Sequence, residues 1–174
     1  AQLTNCSTVS VTNGSFSGNL DEGFNASGGG SSYTMNGVTA SNNGNATPNG
    51  SGVNLKGVTG TSTLTNLTVA NNYFHGLSVG DGASGITIDG GSFTGNGTSG
   101  NGNTGAGINI VEQQGTSATT SGIALQGAIN SSNNTSTGVT VYAASASDNI
   151  TTVTIGDNTN TITLSNNGSG GGGG

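Results

Sequence analysis

The chain has almost no positive charge. One lysine, Lys56, and no arginine stand against seven acidic residues, for a net charge of −6 over 174 residues. A surface with a single cation cannot neutralise a phosphate backbone, which excludes nucleic acid as a natural partner. Cysteine occurs once, as Cys6, so neither an internal disulfide framework nor a Cys-based metal site can form. No apolar run approaches the ~20 residues that a helix needs to cross a membrane. Tryptophan is absent, proline occurs once, and hydrophobic residues make up only 29% of the chain. So little apolar material usually means disorder, but disordered chains also carry high net charge and low β-propensity. Here charged residues are 5%, and Val, Ile and Thr fall in alternating runs. Abundant Gly, Asn, Ser and Thr disfavour helix throughout, and no stretch repeats apolar residues at helical spacing.

What is present is a repeat. Stepping eight residues from an apolar position reaches an asparagine again and again: Val11 to Asn19, Met35 to Asn43, Leu64 to Asn72, Ile88 to Asn96 and Leu125 to Asn133. In four of these lines the residue five places on is apolar (Phe16, Ala40, Val69, Phe93), whereas after Leu125 it is Asn130, with Ile129 beside it. A second unit follows after a variable gap, always with glycine first: "GFNA" from Gly23, "GVNL" from Gly52, "GLSV" from Gly76, "GINI" from Gly107 and "GVTV" from Gly138. A sixth line, through Ile155 and Leu164, lacks both signals. Variation in length between Asn and Gly, from "LDE" to "GTSGNGNTGA", is what a stack of similar layers tolerates, because an insertion leaves at a corner.

Lines of the form apolar-Thr-apolar, then Asn-Asn or Gly-Asn, then Gly-apolar-x-apolar resemble the right-handed parallel β-helix repeats of the pectin-lyase-like superfamily, over residues 8 to 165. The resemblance implies an all-β chain, a right-handed parallel β-helix (β-solenoid) of about six coils. Residues 1–165 form one such domain and 166–174 a Gly-rich flexible tail. Val9, Val11, Phe16, Phe24, Ala26, Ile86, Ile88, Phe93, Ile108 and Ile110 are expected to point inward. Asn19, Asn43, Asn72, Asn96 and Asn133 are expected to form an internal ladder, because Asn tolerates the left-handed turn and its stacked amides bond to one another. On the outer side, Thr34, Thr63, Thr87 and Thr154 should share one file with Ser10 and Ala124. Such a file resembles the ice-binding face of antifreeze solenoids, although Gly85, Asp89, Gly122 and Gln126 interrupt its neighbours.

Chemistry is harder to find. Pectin-lyase-type mechanisms need a basic residue to take a proton, and only Lys56 is available. The nearest match to a hydrolase is Asp81 with Glu112, each two places beyond the last apolar residue of its strand in consecutive lines, a weak candidate for a carboxylate pair. His75 has no evident partner, and Tyr73 with Phe74 offers a small platform for a sugar. N-x-Ser/Thr triplets make Asn45 and Asn49 candidate glycosylation sites. No cofactor or metal motif is present. These readings point away from an enzyme and toward an extracellular or cell-surface structural or adhesive solenoid. It would be a fibre subunit or a segment of a larger surface protein, self-associating head to tail, with cell-surface glycans as an admissible partner class. The alternatives are a polysaccharide-binding or polysaccharide-degrading β-helix and an ice-binding protein.

Overall fold

A computed structural model describes residues 1–44, 50–97, 105–113 and 118–168. The candidate glycosylation sites Asn45 and Asn49, and the tail from residue 169, lie outside these. Among the described residues there is no helix, and hence none long and apolar enough to cross a membrane.

Strands follow one another in the order β1 (Gln2–Thr4), β2 (Thr8–Thr12), β3 (Phe24–Ser27), β4 (Ser32–Asn36), β5 (Thr39–Ser41), β6 (Val53–Lys56) and β7 (Ser62–Ala70). They continue through β8 (Leu77–Gly80), β9 (Ser84–Thr94), β10 (Ile108–Glu112), β11 (Thr119–Ser132), β12 (Val139–Ala143), β13 (Asn149–Ile155) and β14 (Ile162–Ser165). They form two sheets, and every recorded strand pairing is parallel. One sheet runs β1-β3-β6-β8-β10-β12, the other β2-β4-β7-β9-β11-β13, with β5 beside β7 and β14 beside β11. The chain thus visits each sheet in turn and adds one layer per circuit, an arrangement consistent with a β-solenoid.

Register aligns like with like. Leu3, Ala26, Leu55, Val79, Ile110 and Val141 form one inward row. Val11, Met35, Leu64, Ile88, Leu125 and Ile155 form a second. From the second circuit to the fifth these rows are fully buried. Val9, Val11 and Phe16 pack against the core but are only partly buried, because no layer covers them from outside. One circuit offers about five apolar side chains to bury, less than the ordering of its backbone costs, so the layers must fold together. The second sheet bends at a row of left-handed residues, Asn13, Gly37, Asn66, Gly90 and Gly127, with φ between 51° and 70°.

The layers are tied through asparagine. The side-chain amides of Asn19, Asn43, Asn72, Asn96 and Asn134 each donate to Oδ1 of the next, ending on Asn167, at 2.8 to 3.0 Å. The same Oδ1 atoms accept the preceding residue's own backbone N–H, as Asn72 N donates to Asn96 Oδ1. The second amide hydrogen goes to a backbone carbonyl of the previous circuit, that of Phe16, Ala40, Val69, Phe93 or Ser131.

Four sequence expectations need correcting here. Asn133 does not stand in this file; Asn134 does. Between Gln126 and Ile129 the register slips by one residue against β9, so nine steps rather than eight separate Leu125 from its asparagine. Asn133 instead takes the left-handed turn (φ 57°), the place held by Gly18, Asn42, Asn71, Gly95 and Asn166 in the other circuits. The left-handed residue and the bonding residue are therefore different, the second following the first. The slip also puts Ser131, not Ile129, opposite Phe93; its hydroxyl is buried and donates to the Gly138 carbonyl at 2.7 Å. Finally, Asn166 and Asn167, which composition assigns to the tail, complete a sixth member of the file.

The recurrent glycine answers to the same file. A Cβ on Gly23, Gly52, Gly76, Gly107 or Gly138 would lie 2.6, 2.6, 2.7, 2.7 or 2.9 Å from Nδ2 of Asn43, Asn72, Asn96, Asn134 or Asn167. No real Cβ sits that close, so the strand can follow the file only where a side chain is missing.

Neighbouring asparagines should then behave differently. Asn134→Ala strands several buried donors and acceptors and should lower unfolding free energy by about 3 kcal/mol or more. Asn133→Gly keeps the left-handed turn and should stay within about 0.5 kcal/mol of the native chain. Denaturant melts of both variants, followed by circular dichroism, make the comparison; equal losses would contradict the assignment.

Candidate functional site

The candidate carboxylates stand in adjacent layers, since β8 and β10 pair Gly80 with Val111, and Asp81 and Glu112 follow. Their environments suit other work. Asp81 takes the left-handed corner (φ 55°) that Asn5, Gly28 and Gly57 hold in earlier circuits, and its Oδ2 meets Lys56 Nζ at 3.0 Å. Glu112 has no exposed surface; its Oε2 accepts the Thr120 hydroxyl at 2.8 Å and the Gly82 N–H at 2.7 Å. Both carboxylates are thus engaged with groups of the fold itself. The arrangement braces the corner between the two sheets.

Register places Ser10, Thr34, Thr63, Thr87, Ala124 and Thr154 in one outer row of the second sheet. The row beside it is mixed, with Thr12, Asn36, Thr65, Asp89 and Gln126. Regularity is therefore confined to one file. Cys6 is partly buried, and its Sγ lies 3.8 Å from the Thr4 carbonyl.

The first sheet carries a feature that motif reading passes over. The middle residue of each Gly-apolar-x-apolar unit faces outward, giving a row of Asn25, Asn54, Ser78, Asn109 and Thr140. That x is always small and polar, the one sequence signal available. Asn54, Ser78 and Asn109 are nevertheless largely buried, and they line a cleft of about 90 Å³ together with Glu22, Lys56, Phe74 and His75.

His75 is held in one form. Its Nδ1 accepts the Ala106 N–H at 3.0 Å, so the neutral ring keeps its proton on Nε2, and its ring lies 3.7 Å from that of Phe74. Burial makes the charged form costly and pushes the imidazole down to about 4. Glu22 is shifted the other way: burial raises its carboxyl, and the adjacent Asp21 adds to the effect, while Lys56 opposes it. Asp157 is lowered by accepting the backbone N–H groups of Gly127, Thr159 and Asn160 and the Asn160 amide. Among the described residues no cluster of three or more His, Cys, Asp or Glu side chains could hold a metal ion.

Comparisons with known proteins return nothing: no family model, no characterised protein and no solved structure matches this chain.

The histidine sets a pH dependence. Between about 6.5 and about 4 the unfolded chain binds a proton that the folded ring refuses, so stability should fall as pH drops through that window. The full effect is on the order of 3 kcal/mol. Glu22 acts in the opposite sense, its raised carboxyl favouring the folded state at low pH, whereas the lowered Asp157 stabilises the fold throughout this window and loses that contribution only below its ordinary value. Replacing His75 by Gln should flatten the melting temperature across pH 4 to 6.5; an unchanged slope would assign it to other groups.

Proposed function

We propose that this chain is a non-enzymatic extracellular structural or adhesive protein. In this reading it is a right-handed parallel β-helix of about six coils, of the kind found in the pectin-lyase-like superfamily, with the asparagine file as its internal ladder. Right-handedness follows from the general rule for crossovers between parallel strands. It serves as a fibre or filament subunit, or as a segment of a larger surface protein, and copies stack head to tail.

One observation carries the stacking: the two ends of the sheets are complementary. At one end β12, β13 and β14 have, among the described residues, a neighbour on one side only, and the inward rows continue into Val141, Ile155 and Leu164, which are 41%, 51% and 52% exposed. At the other end, β1 and β2 are likewise open, and the same rows begin with Leu3 and Val11. Setting Val141 on Leu3 and Ile155 on Val11 of a second copy extends each row by its own rule. The asparagine file continues as well. Asn167 has given one amide hydrogen to the Ser131 carbonyl, while among the described residues nothing donates to Asn19 Oδ1. A donor at one end thus meets an acceptor at the other. Unpaired strand edges are templates for such addition, and a heterologous contact that does not close builds an open filament. Low charge and small polar side chains suit a surface meant to persist outside a cell.

Static light scattering and negative-stain microscopy against protein concentration test this reading. The native chain should form linear assemblies, and the double variant Val141→Asp, Ile155→Asp should remain monomeric with an unchanged β-sheet circular dichroism spectrum. A native chain that stays monomeric at millimolar concentration refutes the stacking.

A further inference from the structure

The cleft on the first sheet is separate from the stacking ends and has its own chemistry. Its floor includes Asn54, which is 6% exposed and whose Oδ1 is buried with no hydrogen-bond donor. The Asn54 amide leans toward Asn25 Oδ1 at 3.5 Å, so the oxygen is the end left over. A buried acceptor without a donor is costly, and a turn of the Asn54 amide toward the cleft lets a ligand N–H or O–H relieve it. Glu22 supplies a second acceptor on the wall, and Phe74 a flat aromatic surface. Lys56 is the one cation at the cleft, but Asp81 Oδ2 matches its charge at 3.0 Å. His75, neutral above about pH 4, adds no charge.

We propose that this cleft binds the guanidinium group of an arginine side chain presented by a different protein. At about 90 Å³ it is far below the ~300 to 1,000 Å³ of sites that enclose whole small molecules, and takes one functional group. Guanidinium is planar, lies on an aromatic face, and spreads several donors in a fork that can serve an amide oxygen and a carboxylate together. A net charge of −6 attracts it. The occupant is not a second copy, because the chain has no arginine and its single lysine already lines the cleft.

The test titrates N-acetyl-arginine amide, N-acetyl-citrulline amide and N-acetyl-lysine amide into the isotopically labelled monomeric double variant, reading shifts of the Asn54 side-chain amide and the His75 ring by nuclear magnetic resonance. Arginine should move both, lysine less, and citrulline, its neutral isostere, neither. Glu22→Gln, at a corner of the fold, should weaken arginine binding about tenfold, as loss of a charge-assisted hydrogen bond implies. Phe74→Leu should weaken it independently. Equal response to arginine and citrulline, equal response to arginine and lysine, or no response at these residues overturns the proposal. A response to methyl glucoside in place of arginine does so too, by making the ligand a hydroxyl group. None of these outcomes depends on whether copies stack.

Discussion

Everything in this chain is arranged around one narrow contact: an asparagine amide that must reach the layer on either side of it while a strand backbone passes against its flank. The amide gives one hydrogen to the next asparagine and the other to a carbonyl of the layer before, and its oxygen takes two N–H groups from its predecessor. Four polar groups buried at a corner are thereby satisfied, where leaving any of them unpaired would be costly. The passing strand can come this close only as glycine. Two recurrent signals, the asparagine and the glycine that opens the next strand, are thus the two halves of a single contact.

From that contact the division of labour follows. Layers held in register at one corner tolerate a variable length of sequence after it, as between Asn43 and Gly52 and between Asn96 and Gly107. The inward rows align because the corner fixes where each circuit begins, so apolar side chains stack on apolar side chains. A repeating stack also has two unequal ends and a long flank. The ends carry the unfinished rows of the stack, which is what the proposed stacking of copies would use. The flank is free to vary, and small polar residues of the first sheet line a cleft there.

Much of this was legible in the residues. Alternation gave the strands, the repeat gave parallel layering, and the outer threonine row falls where counting puts it. The failures were local and have physical causes. Counting from Leu125 reached Asn133 because an extra residue in a strand shifts every later position without leaving a mark in composition. Asn-Asn was read as one role held by one residue, whereas a left-handed turn and a side-chain bond need two. Asn167 was lost in the glycine tail because a role defined by what lies one layer below cannot be seen along the chain. Asp81 and Glu112 looked like a pair because their spacing matched; one is held by Lys56 and the other enclosed by Thr120 and Gly82.

By itself the sequence determined that the chain is all-β and that its strands repeat in parallel layers, since periodicity is a property of the chain taken residue by residue. Only the tertiary structure decided which asparagine bonds, why glycine must follow, and which polar atoms lie buried without a donor. Those depend on groups 24 to 38 residues apart being brought within 3.2 Å, and no distance along the sequence encodes that.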